Sequence, residues 1–275
     1  MPRMPIGSGF EKIVDYLTVA WSGFFSAIRD FIEVIINATE FVLSYPPFWI
    51  IAILIALISY KRAGKGMAIF SLISIFLIES IDLWPETVST LALIFTSTII
   101  ALILGIPLGI LASSFNSVNL ILRPILDLMQ TMPAFVYLIP SVFFFRIGPV
   151  PAVISTIIFA MPPAIRLTNL GIRQVPAELI EAGKSFGSHW YQMLFKIQLP
   201  LAMPTIMAGI NQCIMLSLSM VVIASMIGAG GLGAIVLSGV TNLKIGMAFE
   251  SGLAVVGIAI ILDRLMQGKT KQKNN

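Results

Sequence analysis

Long apolar stretches separated by short polar segments dominate the chain from residue 47 to residue 264. A helix that crosses a bilayer needs about 20 predominantly apolar residues, and several stretches approach that length. The sequence therefore predicts an all-α polytopic membrane protein with about seven spanning helices. We place these spans at residues 47–60, 67–83, 88–112, 128–145, 150–167, 202–227 and 247–264.

The first 45 residues have a different pattern. Apolar side chains recur at helical spacing from Phe10 to Ile35, and charged residues such as Lys12, Arg29 and Glu33 lie between them. A helix with one apolar face and one charged face is typical of a segment that lies along the membrane interface. An ordinary scaffold helix that packs on the spans is the alternative interpretation.

The composition supports a membrane protein and excludes several other classes. Hydrophobic residues make up 57% of the chain and charged residues only 11%, whereas a soluble domain has about 25% charged residues. The net charge of +4 does not indicate nucleic-acid binding, because the basic residues are scattered among apolar spans. A single cysteine, Cys213, excludes a disulfide framework, and a single histidine, His189, leaves little room for histidine-dependent chemistry.

The basic residues predict the orientation of the chain. The turn Lys61-Arg62-Ala63-Gly64-Lys65 is strongly basic, so it is expected to face the cytoplasm. Alternation from this turn places the N-terminus outside and the C-terminus inside. The basic tail at 269–275 and the long loop at 168–200 then also lie in the cytoplasm.

Groups that could perform catalysis or couple an ion gradient are few. The sequence contains no Walker-type phosphate loop, and the glycine-rich run at 228–233 follows a span, which favours a tight turn or a re-entrant stretch. Asp127 follows Arg123 by four residues, which predicts an ion pair on one helix face. A chain with so few intramembrane carboxylates is expected to draw the energy for any transport from elsewhere.

The loop at 168–200 carries the strongest signal. Pro176 suits the first turn of a helix and Gly187 the position just past its end, so the sequence predicts one helix at 176–186 and a second at 189–196. The motif that starts with Glu181-Ala182-Gly183 resembles the EAA loop of ABC importer permeases, with Gly183 where the family usually has alanine. Its spacing is completed by Gly187, Ile197, Leu199 and Pro200.

Further segments resemble the glycine betaine/proline betaine importer permeases, which belong to the binding-protein-dependent transport permeases. These segments lie at 126–140, 159–168, 192–209 and 218–233. The resemblance covers roughly residues 86–266 and implies the five-helix core of a type I ABC importer. It divides the chain into an extracytoplasmic helix (1–45), two accessory spans (46–85), the permease core (86–268) and a cytoplasmic tail (269–275).

The resemblance also implies partners and a location. It implies a bacterial plasma (inner) membrane protein that pairs with a second copy of itself, two cytoplasmic ATPase subunits and an extracytoplasmic substrate-binding protein. ATP and Mg would be bound by the ATPase, so this chain itself would have no cofactor, no metal and no catalytic residue. The implied substrate is a quaternary ammonium zwitterion such as glycine betaine, taken up for osmoprotection.

Two sets of residues are candidates for function. By position in the motif, the face that docks on the ATPase comprises Glu181, Ala182, Gly183, Phe186 and Gly187, with Ile197, Leu199 and Pro200 completing the motif. Polar residues within predicted spans could line a translocation path, although each could equally form a helix-to-helix hydrogen bond. These path candidates are Gln130, Thr131, Asn211, Gln212 and Ser219.

Three alternatives stay open at this point. The chain could be the permease of an ABC importer for another small amine, such as choline, carnitine or trimethylamine oxide, or for an amino acid. An ion-coupled secondary carrier would need a coupling-ion site or an inverted repeat, and a membrane enzyme would need a catalytic cluster. Neither of these features is evident in the sequence.

Overall fold

The computed structural model describes residues 14–267, and over these residues the chain is helical without any β-strand. Residues 14–20 are helical and lead into the first of twelve α-helices in this range. The helices are α1 (Ser22–Ser44), α2 (Phe48–Ala63), α3 (Lys65–Ser80), α4 (Trp84–Ser114), α5 (Asn116–Thr131), α6 (Ala134–Phe145), α7 (Pro149–Arg173), α8 (Ala177–Ser185), α9 (Trp190–Met193), α10 (Leu199–Ala224), α11 (Gly231–Thr241) and α12 (Ile245–Gln267).

Helix α7 lies at the centre of the bundle and packs against α4 on one side and α10 on the other. Glycines allow the close approach of α4 and α7. A Cβ atom at Gly109 would lie 2.6 Å from Thr168 Cβ and 2.8 Å from the carbonyl oxygen of Ile165. Gly105, one turn earlier, faces Ala164 in the same way. Small residues at such crossings let membrane helices gain van der Waals contact.

Many buried hydroxyl groups in the bundle bond to their own helices. Ser97 donates to the carbonyl oxygen of Leu93, and Thr156 donates to that of Ala152, both at 2.7 Å. The interior of a bilayer offers no water to these groups, so a carbonyl one turn earlier is the available acceptor. The bundle can therefore contain many serines and threonines without creating a polar pore.

Four helices are long and apolar enough to cross a membrane, and the number rises to six if each of two bent pairs counts as one span. The expected number of seven is therefore too high by this measure. Helices α2 and α3 have 16 residues each, about 24 Å of helix against a hydrocarbon core of about 30 Å. The predicted spans 88–112, 150–167, 202–227 and 247–264 coincide with α4, α7, α10 and α12.

The predicted span at 128–145 is not one continuous helix, because a sharp bend divides it. Helix α5 ends at Thr131, α6 begins at Ala134, and their axes differ by 101°. Pro133 causes the break, since proline lacks a backbone N–H and disfavours helical torsions at the residue before it. Met132 accordingly has an extended backbone, with φ −73° and ψ 136°.

Helix α1 packs across α4 through a face that overlaps only in part with the predicted apolar face, with which it shares Ile28. Ile32 and Ile36 are buried against the bundle, and Ser89 of α4 donates a hydrogen bond to Glu40 at 2.5 Å. Trp21 and Phe31, which belong to the predicted apolar face, are exposed. The first residues of that predicted face and the basic tail at 269–275 lie outside the described residues.

Candidate coupling site

Helix α8 is a short helix that follows Pro176 and has a regular C-terminal cap. Beyond its end, the N–H of Gly187 donates to the carbonyl oxygen of Lys184 at 2.9 Å, and the N–H of Ser188 donates to that of Gly183 at 3.1 Å. Gly187 has a φ of +74°. This pair of bonds with a left-handed residue is the Schellman termination of a helix. The helix predicted at 176–186 is thus present to within one residue at each end.

Most of the predicted docking residues lie at the surface. Glu181, Ala182 and Gly187 are exposed, and Phe186 is 90% exposed. Gly183 is buried on the opposite side, where a Cβ atom would lie 2.7 Å from Met193 Cε and 2.9 Å from Ile197 Cδ1. The glycine that replaces the family's usual alanine is therefore in the contact between α8 and the following helical segment.

That following segment is continuous with the next span rather than a separate helix. The segment predicted as a helix at 189–196 is helical from Trp190, but it is not separate, because α9 passes through a π-helical turn, Leu194–Gln198, directly into α10. The start of α9 is capped by Gln192, whose Oε1 accepts the backbone N–H of His189 at 3.0 Å. Extra-residue turns of this kind occur frequently at functional sites.

The last three residues of the motif lie along this continuous segment. Ile197 is half-buried against α8 and Pro200 is exposed in the first turn of α10. Leu199 packs on a small apolar cluster with Ile172 of α7 and Ile206 of α10. The motif therefore joins an exposed helix to the base of a membrane-spanning helix.

An apolar groove of about 490 Å³ runs between α8 and the start of α10. Leu179, Ala182 and Phe186 line its α8 side, and Ile197 and Pro200 line the other side. An exposed phenylalanine beside an apolar groove is typical of a surface that binds another protein.

Sequence reasoning missed a second feature, a ladder of polar contacts between α5 and α7. Arg166 of α7 forms an ion pair with Asp127 of α5, so the predicted pairing of Asp127 with Arg123 is wrong. Asn169 donates to Asn119 at 2.8 Å, and Arg173 donates to Asn116 at 2.9 Å. Spacings of three and four residues among these polar positions could have indicated two facing helices.

The path candidates divide into two groups. Gln212 and Ser219 are exposed on α10, two turns apart, and Gln130 and Thr131 are exposed at the end of α5. Thr131 donates to the carbonyl oxygen of Leu128 at 3.1 Å. Asn211 is half-buried instead, and its Nδ2 lies 3.4 Å from Oδ1 of Asp263 in α12. Asn211 therefore forms the helix-to-helix hydrogen bond that was the alternative for all five.

A bundle of long apolar helices that displays an exposed loop helix outside the bundle has the architecture of a membrane transport permease. The chain belongs to the family of binding-protein-dependent transport system inner membrane components, whose model matches residues 105–267. The expected family and the expected all-α fold are confirmed.

Named relatives and a solved structure agree with this assignment. The chain is 50% identical over 275 residues to the glycine betaine transport system permease protein OpuAB of Bacillus subtilis, covering 100% of this chain and 98% of the relative. It is 49% identical over 264 residues to the glycine betaine/proline betaine transport system permease protein ProW of Escherichia coli, covering 96% of this chain and 75% of the relative. An inward-facing MetNI methionine ABC transporter structure matches at 25% identity with a TM-score of 0.54, covering 65% of this chain and 88% of that chain. This last likeness supports the fold.

Proposed function

We propose that this chain is the transmembrane permease subunit of an ATP-driven importer for zwitterions such as glycine betaine and proline betaine. The observation that carries the proposal is the exposed helix α8 with its C-terminal cap. The chain that displays this helix is 50% identical to a permease named for glycine betaine. Two copies of the chain form the path, two ATPase subunits power it, and an external binding protein delivers the substrate. The ATPase subunits bind ATP and Mg, and this chain itself catalyses no reaction.

Coupling proceeds from α8 into α10. The ATPase holds the exposed face of α8 around Glu181 and Phe186, and it moves this face when it binds ATP. Gly183 lies against Met193 and Ile197, so a displacement of α8 is transmitted to the π-helical turn. Because α9, the π-helical turn, α10 and the 3-10 turn after it form one continuous helical segment of 38 residues, Trp190–Ile227, the displacement reaches the part of α10 that carries Gln212 and Ser219.

The chemistry of the path suits weak binding. A quaternary ammonium group cannot donate a hydrogen bond from its nitrogen, and proteins hold it tightly with aromatic faces. The proposed path positions Gln130, Thr131, Gln212 and Ser219 offer neutral amide and hydroxyl groups instead. Selection of the substrate then rests mainly with the binding protein, and release through the permease meets no fixed charge at these positions.

The proposal includes the orientation and the membrane. The family is one of multi-pass inner membrane components, and we assign the N-terminus to the outside and the C-terminus to the cytoplasm. The basic turn at 61–65 supports this orientation, because lysine and arginine favour the cytoplasmic side of short loops. The loop at 168–200 then faces the cytoplasmic ATPase.

Purification of the complex from its native membrane, followed by reconstitution, tests the proposal. An ATPase should co-purify in near-equal amount, and uptake of labelled glycine betaine should require ATP and an added binding protein. Uptake assays with choline, carnitine and trimethylamine oxide test whether another small amine is the true substrate. Uptake by the chain alone, driven by an ion gradient without ATP, would identify a secondary carrier and contradict the proposal.

A matched pair of variants tests the docking face separately. Phe186→Ala removes an aromatic side chain that is 90% exposed on the loop, and the co-purifying ATPase should fall about tenfold or more, as is usual for an aromatic anchor. Phe41→Ala removes a phenylalanine that is 67% exposed on α1 and should leave the ATPase in place. Equal recovery of the ATPase with both variants would show that Phe186 is not an anchor.

A further inference from the structure

A charged pocket of about 370 Å³ opens between α5 and α7, beside the polar ladder. Three arginines line it, namely Arg123, Arg166 and Arg173, together with one carboxylate, that of Asp127. The pocket therefore has two positive charges in excess. Neither the proposed docking face nor the proposed path uses these residues.

The three guanidinium groups differ in how many of their N–H donors are occupied. Most N–H donors of Arg173 are occupied, because it donates to Asn169 at 2.9 Å, to the carbonyl oxygen of Ala112 at 2.8 Å and to Asn116 at 2.9 Å. Within the described part of the chain, Arg166 donates only to Asp127. Among residues 14–267, Arg123 takes part in no ion pair and no side-chain hydrogen bond. A guanidinium group carries five N–H donors, so Arg123 and Arg166 retain capacity for another acceptor.

The scaffold that carries these arginines is held in place. The contacts of Asn119 with Asn169 and of Asn116 with Arg173 tie α5 to α7. The arginines therefore stand on two helices whose relative position is fixed before any ligand arrives, which lowers the free energy that ordering a site costs on binding.

Apolar surface surrounds the charged pocket. Leu170 lines the pocket and is 45% exposed, and Ile121, Ile125 and Leu128 are exposed on α5. Helix α5 is amphipathic and lies at 101° to α6. A helix with these properties is suited to the membrane interface, where charged headgroups lie next to acyl chains.

We propose that the pocket binds the phosphate group of an anionic phospholipid, with Arg123 and Arg166 as the phosphate ligands and Arg173 as a positioning residue. Arginine forms paired N–H···O bonds with phosphate oxygens, and basic pockets between membrane helices bind anionic headgroups. A free phosphate ion offers the same charged contacts but has no apolar part to cover Leu170 and the exposed face of α5.

The test measures lipid retention by the purified full chain with native mass spectrometry. Phosphatidylglycerol and phosphatidylcholine with identical acyl chains are added in equal amounts, and inorganic phosphate is added in a separate arm. The wild-type chain should retain phosphatidylglycerol in preference, and Arg123→Gln should reduce this retention about tenfold, the usual loss for one charge-assisted contact. Arg62→Gln is the matched control, because it removes one exposed arginine from the last turn of α2, away from the pocket, and should leave lipid retention unchanged.

Each other outcome would overturn the proposal. Equal retention of the two lipids by the wild-type chain would show that the pocket does not select an anionic headgroup. Equal loss of phosphatidylglycerol with Arg62→Gln and Arg123→Gln would show that lipid retention depends only on general surface charge. Retention of inorganic phosphate without a preference between the lipids would assign the pocket to a soluble anion. A loss of the co-purifying ATPase with Arg123→Gln, without any change in lipid retention, would assign the pocket to an acidic protein surface. As a further check, Arg123→Glu should abolish the preference for phosphatidylglycerol.

Discussion

The backbone N–H of Ser188 donates to the carbonyl oxygen of Gly183 at 3.1 Å and closes the C-terminal end of α8. The bond requires the chain to reverse at Gly187, whose φ is +74°. No atom outside its neighbours lies within 4 Å of a Cβ built at Gly187. In this chain alone, glycine is therefore required at 187 by backbone conformation and not by lack of space.

Small substitutions at Gly187 should follow backbone preference, and a bulky one should cause a further loss. Gly187→Ala forces a left-handed conformation that costs an ordinary residue about 1 kcal/mol or more, and Gly187→Asn costs less because asparagine tolerates this region. ATP-dependent uptake should therefore fall in the order glycine, asparagine, alanine. Gly187→Trp should abolish uptake while membrane insertion is retained, because the side chain adds bulk at the proposed docking face.

The control for this series is Gly64→Ala, which introduces strain at another glycine with positive φ, in the turn between α2 and α3. Gly64→Ala should leave the co-purifying ATPase unchanged. If Gly64→Ala and Gly187→Ala reduce uptake equally, or if Gly187→Trp transports normally, the special role of Gly187 is wrong.

Gly183→Ala should be tolerated, and Gly183→Leu should not. The atoms nearest to a new Cβ are the ends of the Met193 and Ile197 side chains, which can move, and alanine improves helix propensity by up to about 1 kcal/mol. Leucine overfills the contact, at a cost of about 1–3 kcal/mol. Uptake assays and thermal unfolding in detergent measure both effects. The combination of Gly183→Leu with Met193→Ala should recover part of the loss, and no recovery would contradict this packing explanation.

Gly109→Ala should destabilise the bundle more than any comparable change in α12. The new methyl group would meet Thr168 Cβ at 2.6 Å and the carbonyl oxygen of Ile165 at 2.8 Å, and backbone atoms in a packed bundle yield little. We expect a loss of about 1–3 kcal/mol in the free energy of unfolding. Gly257→Ala is the matched control, because its Cβ would lie at an ordinary 3.5 Å from Ser74. Equal thermal stability of the two variants would disprove the close packing of α4 and α7.

Asn211 and Gln212 are neighbours in α10 with different expected roles. Asn211→Ala removes the contact with Asp263 and should lower stability by about 0.6 kcal/mol, a typical value for a hydrogen bond between membrane helices, with uptake retained. Gln212→Ala should leave stability unchanged and reduce uptake several-fold, because Gln212 is exposed on the proposed path. Unfolding curves and uptake assays on both variants test these roles. A loss of uptake with Asn211→Ala and a loss of stability with Gln212→Ala would show that the two roles are assigned the wrong way round.

The ion pair between Arg166 and Asp127 should contribute little to stability. Their side chains are 38% and 57% exposed, and exposed pairs usually contribute about 0–1 kcal/mol because solvent screens them. A double-mutant cycle with Arg166→Gln and Asp127→Asn should therefore give a coupling energy below about 1 kcal/mol. A coupling energy several times larger would mean that the pair is desolvated in the assembled transporter.

The long spans were predictable from the sequence because nearly all their positions are apolar. The four helices α4, α7, α10 and α12 fulfil that condition, and their positions follow from hydropathy alone. The segment at 128–145 is also apolar, yet Pro133 divides it, and hydropathy does not report the angle between two helices. The end of α8 was predictable for a local reason, since the conformation at Gly187 depends on the residue itself.

Contacts between distant segments were not predictable. The four-residue spacing of Arg123 and Asp127 indicates a pair within one helix, but Arg166 of α7 takes this carboxylate instead. Gly183 is likewise buried by Met193 and Ile197. These residues come after the chain has reversed direction, so local spacing does not reveal the contact. Local spacing indicates which side chains could meet, and only the tertiary arrangement selects the partner.

The π-helical turn at Leu194–Gln198 sets the angular phase of α10. Such a turn holds one residue more than an α-helical turn, and one residue corresponds to a rotation of about 100° around the helix axis. Deletion of a single residue from this turn would restore α-helical winding and rotate Gln212 and Ser219 by that angle relative to α8. The extra residue therefore fixes which residues of α10 face the proposed path, and its deletion would redirect that face without changing the exposed side of α8 or any side chain of α10.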